Sequence, residues 1–355
     1  RASGKSSGTR RSGMERNVQI MKGKPVFQVF LSFLRSSGRL AVFLALGMFF
    51  CLNLTGCGQN ELEQAYSFSE RSSAFLTGQG GGKAPAFAEE LCVITGEDDQ
   101  TETLTAQAAG LFDLSGGESL FHQNALQQMN PASTTKVMTA IVALEHGNLS
   151  DMVTVTDAAI ITEAGSSMAG ISPGDELTLE QLLFGLMIPS GNDAANAIAV
   201  HIAGSIEDFA AMMNEEAHRI GATGTHFVNA NGLTAEGHYT TAYDLYLMFR
   251  KALTYDTFRE IIGAHSYTAV YKDGQGNEKT SEWTVGNYYM NGKAETPEGL
   301  TVFGGKTGTT QAAGYCLVMG SRTEDGKEYA SVVMKSESRN ALYEDMTKIL
   351  SKIVK

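Results

Sequence analysis

The sequence predicts an α+β protein, an antiparallel β-sheet flanked by helices with a helical lobe beside it. Strand-like segments stand at both ends of the folded region, around residues 106–123 and again after residue 260. Between them runs a long block whose apolar residues recur at helical spacing. Early strands must pair with late ones, because an unpaired edge invites aggregation. That pairing closes one sheet around a helical insertion.

Each element has a local reason. "AQAAGLFDL" and "SLFHQ" flank the turn "SGGE" and read as a hairpin. "PASTTKVM" (131–138) opens a helix that runs to Gly147, a residue type that commonly follows a helix end. Thr178 and Gln181 have capping-box spacing ahead of "LLFGLM". "NDAANAIAVHIAG", "SIEDFAAMMNEEAHRIG" and "TAYDLYLMFRKAL" read as further helices, and "HSYTAVY", "GYCLVMGS" and "YASVVMK" as strands. The chain closes on "NALYEDMTKILSKIVK", helical again.

Upstream of the folded region the chemistry changes. Of 355 residues, 43% are hydrophobic and 19% charged, the balance of a globular protein with a proper core. Residues 1–56 hold nine Lys/Arg and one acid, and end in the apolar run "LAVFLALGMFFCLNL". A basic stretch followed by a short apolar one has the form of a secretion signal, and is short for a membrane span. "LTGC" at 54–57 resembles the lipobox of bacterial lipoproteins, which makes Cys57 the expected lipidation point and membrane anchor. Residues 57–100, with "TGQGGGKAPAF" and "TGEDDQTET", read as a flexible tether. Residues 101–355 are the expected catalytic domain.

Removing the leader's nine basic residues from 27 and its one acid from 39 leaves 18 against 38, a net charge of −20. That balance disfavours nucleic acid as a partner, and none is expected, since phosphates need a basic surface. Cys92 and Cys316 are expected to be small buried hydrophobes rather than a disulfide framework.

Three motifs could carry chemistry. In "PASTTK", Ser133 and Lys136 stand at i and i+3, neighbours on a helix. A serine at a helix N-terminus has backbone N–H groups near it that can hold an oxyanion. Desolvation would lower the lysine pKa towards neutrality and make it a general base. Taken alone, the pair reads first as a capped helix with a snorkelling lysine. Ser133 is nevertheless the only serine with a lysine three residues later. "PSGN" brings Ser190 and Asn192, although turn chemistry explains such residues too, and Ser338-Arg339-Asn340 repeats the S-x-N pattern. "GGKTGTT" sets Lys306, Thr307, Gly308 and Thr309 ahead of a strand: a cation, hydroxyls, and a glycine where a substrate backbone can come close. Lys306 would also disfavour protonation of Lys136 by like-charge repulsion.

The motifs occur in the order S-x-x-K, S-x-N, K-T-G, with Ser190 57 residues after Ser133 and Lys306 116 after Ser190. This set marks penicillin-binding proteins and serine β-lactamases. With "THFVNANGL" and "HYTTAYDLYLM", residues 101–355 resemble the low-molecular-mass D-alanyl-D-alanine carboxypeptidases, the penicillin-binding serine peptidases. The resemblance implies a β-lactamase/DD-peptidase-like fold and hydrolysis of a peptidoglycan stem peptide through an acyl-enzyme, with β-lactam antibiotics as inhibitors. It implies Ser133 as nucleophile, Lys136 as its base and Ser190 as a proton relay. The backbone N–H groups of Ser133 and Thr309 would form the oxyanion hole. Asn192 would hold the substrate amide, and Lys306 with Thr307 would face the terminal carboxylate. No metal or organic cofactor is implied.

Two departures stand out. Relatives often carry an arginine shortly before K-T-G, and "VGNYYMNGKAE" has none, which leaves Thr307, Thr309 and Lys293 as candidates to read the carboxylate. Only 49 residues follow Lys306, so the lipid at Cys57 would replace the C-terminal anchor of many relatives. The alternatives are a serine β-lactamase or a non-catalytic penicillin sensor. Past residue 57 there is no E-x-x-L-N stretch, no G-x-S-x-G elbow and no H-E-x-x-H.

Overall fold

A computed structural model describes residues 92–94 and 97–354. The leader, Cys57 and most of the expected tether lie outside the described residues. Its main sheet has five antiparallel strands in the order β2-β1-β9-β8-β7. These are β1 (Ala108–Asp113), β2 (Ser119–Gln123), β7 (Leu300–Thr310), β8 (Gly314–Thr323) and β9 (Glu328–Ser336). The hairpin and the early-with-late pairing are as expected, because β1 pairs with β2 and, on its other edge, with β9.

The sheet is covered on both faces, and its sequence shows it. In β1, Ala108 and Phe112 join the core beneath the helical lobe, while Ala109 and Leu111 join the core under the C-terminal helix α7 (Arg339–Leu350). This is the two-sided alternation of a strand. In β9 the run "YASVVM" is buried throughout, as a strand covered on both sides must be.

The helical lobe is built around α1 (Lys136–His146), whose residues from Lys136 to Ala143 are all buried. Around it stand α2 (Leu179–Met187), α3 (Asn192–Ala203), α4 (Ile206–Arg219) and α5 (Ala242–Ala252). The capping box at α2 is present, with the Thr178 side chain accepting from Gln181 N and the Gln181 side chain accepting from Thr178 N. Gly147 ends α1 in an extended rather than left-handed conformation. A Cβ there would come within 2.3 Å of Leu179 Cδ2, so packing requires the glycine.

Two elements were not expected. A short helix, α6 (Asp256–Gly263), follows α5. A second, four-stranded antiparallel sheet joins β3 (Met152–Thr154), β4 (Glu176–Thr178), β5 (Ser266–Lys272) and β6 (Glu278–Thr284), so "HSYTAVY" does not belong to the main sheet. It seats on α2 through a stack of Phe184, Tyr267 and Trp283. The Trp283 indole N–H donates to Ala169 O at 2.8 Å, which ties this sheet to the loop beside the motifs.

Cys92 and Cys316 are free and buried. Cys92, within the segment expected to be tether, is held by Tyr246 Oη accepting its N–H and by Tyr243 Oη donating to its carbonyl. Further along, Asp345 of α7 accepts hydrogen bonds from Thr105 N and Ala106 N. The packed region thus reaches upstream of Thr101.

Candidate active site

Ser133 sits in a 3-10 turn, Ala132–Thr135, rather than in the first turn of the α-helix, which starts at Lys136. The turn opens on Ala132 at φ +50°, a left-handed conformation costing a residue with a Cβ about 1–2 kcal/mol. Two glycines hold the turn from opposite sides. A Cβ on Gly232 would lie 2.0 Å from Ala132 O, and one on Gly308 would lie 2.8 Å from Ser133 N. Gly308 is therefore needed so that β7 can run directly against the serine turn.

The turn is also pinned from below. His238 is buried, and its Nδ1 accepts from Val228 N at 3.1 Å, so the ring proton is on Nε2 and donates to Thr135 Oγ1 at 2.9 Å. Burial pushes the imidazole pKa down to about 4, with the nearby His226 acting in the same direction. The ring stays neutral, as this pair of bonds requires.

Lys136 is fully buried, and its Nζ meets three oxygens: Asn192 Oδ1 at 2.6 Å, Asn231 O at 2.6 Å and Ser133 Oγ at 3.0 Å. Burial holds its pKa well below the usual lysine range, and the charge of Lys306 adds to this, while Asp193 opposes it. A neutral amine has two N–H bonds and one lone pair. With the two carbonyl oxygens able to take both N–H bonds of a neutral amine, Ser133 Oγ at 3.0 Å is the one neighbour that could donate to its lone pair.

The opposite wall is made by S-x-N and K-T-G. Ser190 is held at φ +64°, ahead of the N-terminus of α3. Its Oγ accepts from Lys306 Nζ at 2.9 Å, and Lys306 also donates to Thr307 O at 2.8 Å. Burial lowers the Lys306 pKa to about 7. Lys306 to Thr309 lie inside β7, at the open edge of the main sheet, rather than ahead of the strand. Asn192 begins α3, and its carbonyl oxygen is committed to Lys136, leaving Nδ2 as the part that can face a ligand. Next to it the buried Asp193 carboxylate accepts from the backbone N–H groups of Ala169, Gly170, Ile171 and Ala194. These bonds fasten the loop carrying Ser167 over the site, and Ser167 O accepts from Asn192 N at 2.9 Å.

A cleft of about 180 Å³ opens along this second wall, lined by Ser167, Ser190, Thr307, Thr309, Tyr315 and Arg339 among others. The structure thus brings Ser133, Lys136, Ser190, Asn192 and Lys306–Thr309 to one place. Lys293 lines a different groove, against the Tyr288 ring. The cleft has a guanidinium that sequence reasoning missed, Arg339 at the start of α7, inside the second S-x-N match. Its position 33 residues after Lys306, rather than before it, hid it from a search upstream of K-T-G. Asn231, His238 and Asp193 were also missed, and "NANGL" was the visible trace of the first. Among the described residues no group of His, Cys, Asp or Glu side chains could hold a metal ion.

Comparison with known proteins agrees with this geometry. The family model described as D-alanyl-D-alanine carboxypeptidase, peptidase family S11, matches residues 95–338. The D-alanyl-D-alanine carboxypeptidase DacF of Bacillus subtilis is 35% identical over 253 residues, covering 69% of this chain and 61% of its own length. DacC of Escherichia coli K12 is 34% identical over 296 residues, 79% of this chain and 69% of its own. The crystal structure of the Streptomyces K15 DD-transpeptidase superposes with a TM-score of 0.66 at 32% identity, covering 72% of this chain and 98% of that one. The chain spans about 61% of the length of the Bacillus relative. By family match, identity and the arrangement of its three motifs, the chain belongs to the D-alanyl-D-alanine carboxypeptidase family of serine peptidases.

Proposed function

We propose that the chain is a serine-type D-alanyl-D-alanine carboxypeptidase that removes the terminal D-Ala from peptidoglycan stem peptides and is acylated by penicillins. One observation carries the reading above the rest: a fully buried lysine whose Nζ stands 3.0 Å from Ser133 Oγ and 2.6 Å from each of two carbonyl oxygens. Such a lysine is a general base with its proton acceptor already aimed.

Ser133 Oγ attacks the carbonyl of the penultimate D-Ala while Lys136 takes its proton. The developing oxyanion is held by the backbone N–H groups of Ser133 and Thr309. The open edge of β7 offers unpaired backbone groups to an extended peptide, and Gly308 lets that peptide come close. Ser190 passes a proton to the leaving amine, Asn192 Nδ2 holds the substrate amide, and Lys306, Thr307 and Arg339 face the terminal carboxylate. Water then cleaves the ester and frees Ser133.

Residues 1–56 act as a lipoprotein signal peptide, Cys57 carries the lipid, and the domain stands outside the cytoplasmic membrane on its tether. Among the described residues no helix is long and apolar enough to cross a membrane. The acidic balance of the mature chain is consistent with a site that does not bind nucleic acid.

The decisive assay incubates the protein with diacetyl-Lys-D-Ala-D-Ala and measures free D-Ala, with Ser133→Ala beside it. Release by the wild type and none by the variant is expected. Absence of release by the wild type would sink the reading, and rapid turnover of penicillin would make the chain a β-lactamase instead.

A further inference from the structure

We propose that Asn196, on α3, is a positioning residue for acylation: it holds the Asn231 carbonyl against Lys136, where that carbonyl stabilises the ammonium formed as Ser133 gives up its proton. This rests on the reading of Lys136 as the base. Asn196 stands one helical turn after Asn192, so both amides project from one face of α3. Asn192 touches the Lys136 amine directly, through Oδ1 at 2.6 Å. Asn196 reaches it through one intermediary. Its Oδ1 accepts from Asn231 Nδ2 at 3.0 Å, and Asn231 O lies 2.6 Å from Lys136 Nζ.

A second asparagine is an unusual choice at this place. The stretch "NDAANAIA" that opens α3 is buried throughout and is otherwise largely apolar. A primary amide there loses its hydration and needs a partner at each end. The fold supplies both. Asn196 Nδ2 donates to Ala158 O at 2.8 Å, in the 3-10 turn Asp157–Ala159, and only an N–H can meet a carbonyl. Oδ1 is thereby turned towards Asn231. On the far side, Asn231 Oδ1 accepts from Leu233 N at 2.9 Å, which fixes the second amide in the same way. The link between the two side chains therefore has one direction.

What the link controls is the peptide group joining Asn231 to Gly232. Its carbonyl meets Lys136, and its N–H donates to Asn229 Oδ1 at 2.8 Å. Gly232, at φ +87°, has no side chain to hold this peptide, so the grip comes from its neighbours. From α1, Thr139 Oγ1 donates to Ala230 O at 2.6 Å. The loop is thus held from both helices, with the negative end of the peptide dipole on the amine.

That dipole matters most during the reaction. A neutral amine has two N–H bonds, and after taking the Ser133 proton it has three and a full charge. An oxygen fixed beside a charge that develops in the transition state speeds the step without tightening the first complex. The charged groups facing Lys136 are Lys306, from β7, and Asp193, from α3. The first favours loss of its proton and the second opposes it. Substitution of Asn196 leaves both in the chain.

The test follows acylation of the full chain by a fluorescent penicillin across pH, separating the dissociation constant of the first complex from the acylation rate constant. Asn196→Ala should slow acylation about tenfold, the low end for a hydrogen bond to a charged group, with the dissociation constant within about twofold. The rising limb of the pH–rate profile should move to lower pH, because the ammonium loses an acceptor. Asn231→Ala keeps the backbone carbonyl and cuts the same link, so it should behave alike. The double variant should match either single variant rather than multiply their losses. If Asn196→Ala does not fold, the limb is read on Asn231→Ala. A purely structural role would lower the active fraction and leave the limb in place. An unmoved limb, or losses that multiply in the double variant, would overturn the inference. A wild type that penicillin does not acylate would overturn the cleft reading itself, and this inference with it.

Discussion

Two lysines are buried at the site, one on the helical lobe and one on the sheet, and their surroundings differ. On the helical-lobe side, Lys136 is fully enclosed and faces two carbonyl oxygens and a hydroxyl. On the sheet side, Lys306 faces one carbonyl and one hydroxyl, at the edge of an open strand. Burial lowers both pKa values, and the Lys306 charge lowers that of Lys136 further. Desolvation alone does not assign the roles. The lesson is that the acceptors around each amine distinguish them: on the proposed reading, Lys136, enclosed by three oxygens, serves as base to Ser133, whereas Lys306, with two, has capacity left to meet an anion.

The largest expected effect breaks the first wall. Lys136→Ala should slow acylation by penicillin and by the peptide about 10²–10⁴-fold, the usual worth of a positioned base, with the fold intact by circular dichroism. A variant that acylates at the wild-type rate would remove Lys136 from the mechanism.

Lys306→Met tests the coupling between the walls. It should cost about 10²–10³-fold in acylation, as loss of one preorganised electrostatic group does. It should also move the rising limb of the pH–rate profile upward, because Lys136 loses the neighbouring charge that holds its pKa down. The observed midpoint belongs to the coupled pair in wild type and to Lys136 in the variant. Stability should move the other way. With a folded value near 7 against 10.5 for an ordinary lysine, the cost of burying the ammonium is full below about pH 7 and fades as pH rises towards 10.5. Lys306→Met should therefore be more stable than wild type in denaturant melts near neutrality, and the gain should shrink in alkali.

The smallest effect concerns substrate reading. Arg339→Leu should raise KM for peptides ending in a free carboxylate by about tenfold, with little change for an amidated analogue. Equal losses on both substrates would make Arg339 structural.

Much of this was legible before the structure. The hairpin, the capping box at Thr178, the terminal helix and the three motifs follow from local patterns, because period, cap chemistry and motif spacing are written in neighbouring residues. The second sheet was not legible, since β3 and β4 are three residues each and the pairing of β4 with β5 comes from distant chain. Arg339 was hidden for a similar reason. Its S-R-N context looked like a chance repeat, and only the packing of α7 beside β8 and β9 brings it to the cleft. "NANGL" marked the neighbourhood of Asn231, but that its backbone carbonyl would meet Lys136 had no signal, because every residue has a carbonyl.

By itself the sequence determined which residue types meet and in what order: a serine with a lysine one turn on, a second serine with its asparagine, and a lysine-threonine-glycine strand. Tertiary structure decided their states. Whether Lys136 is a wayward cation or a base depends on which oxygens surround it and how much water is excluded, and both are set by chain 56 and 95 residues away. Hydrogen-bond acceptors and dielectric are properties of a place, and a place exists only once the chain has folded.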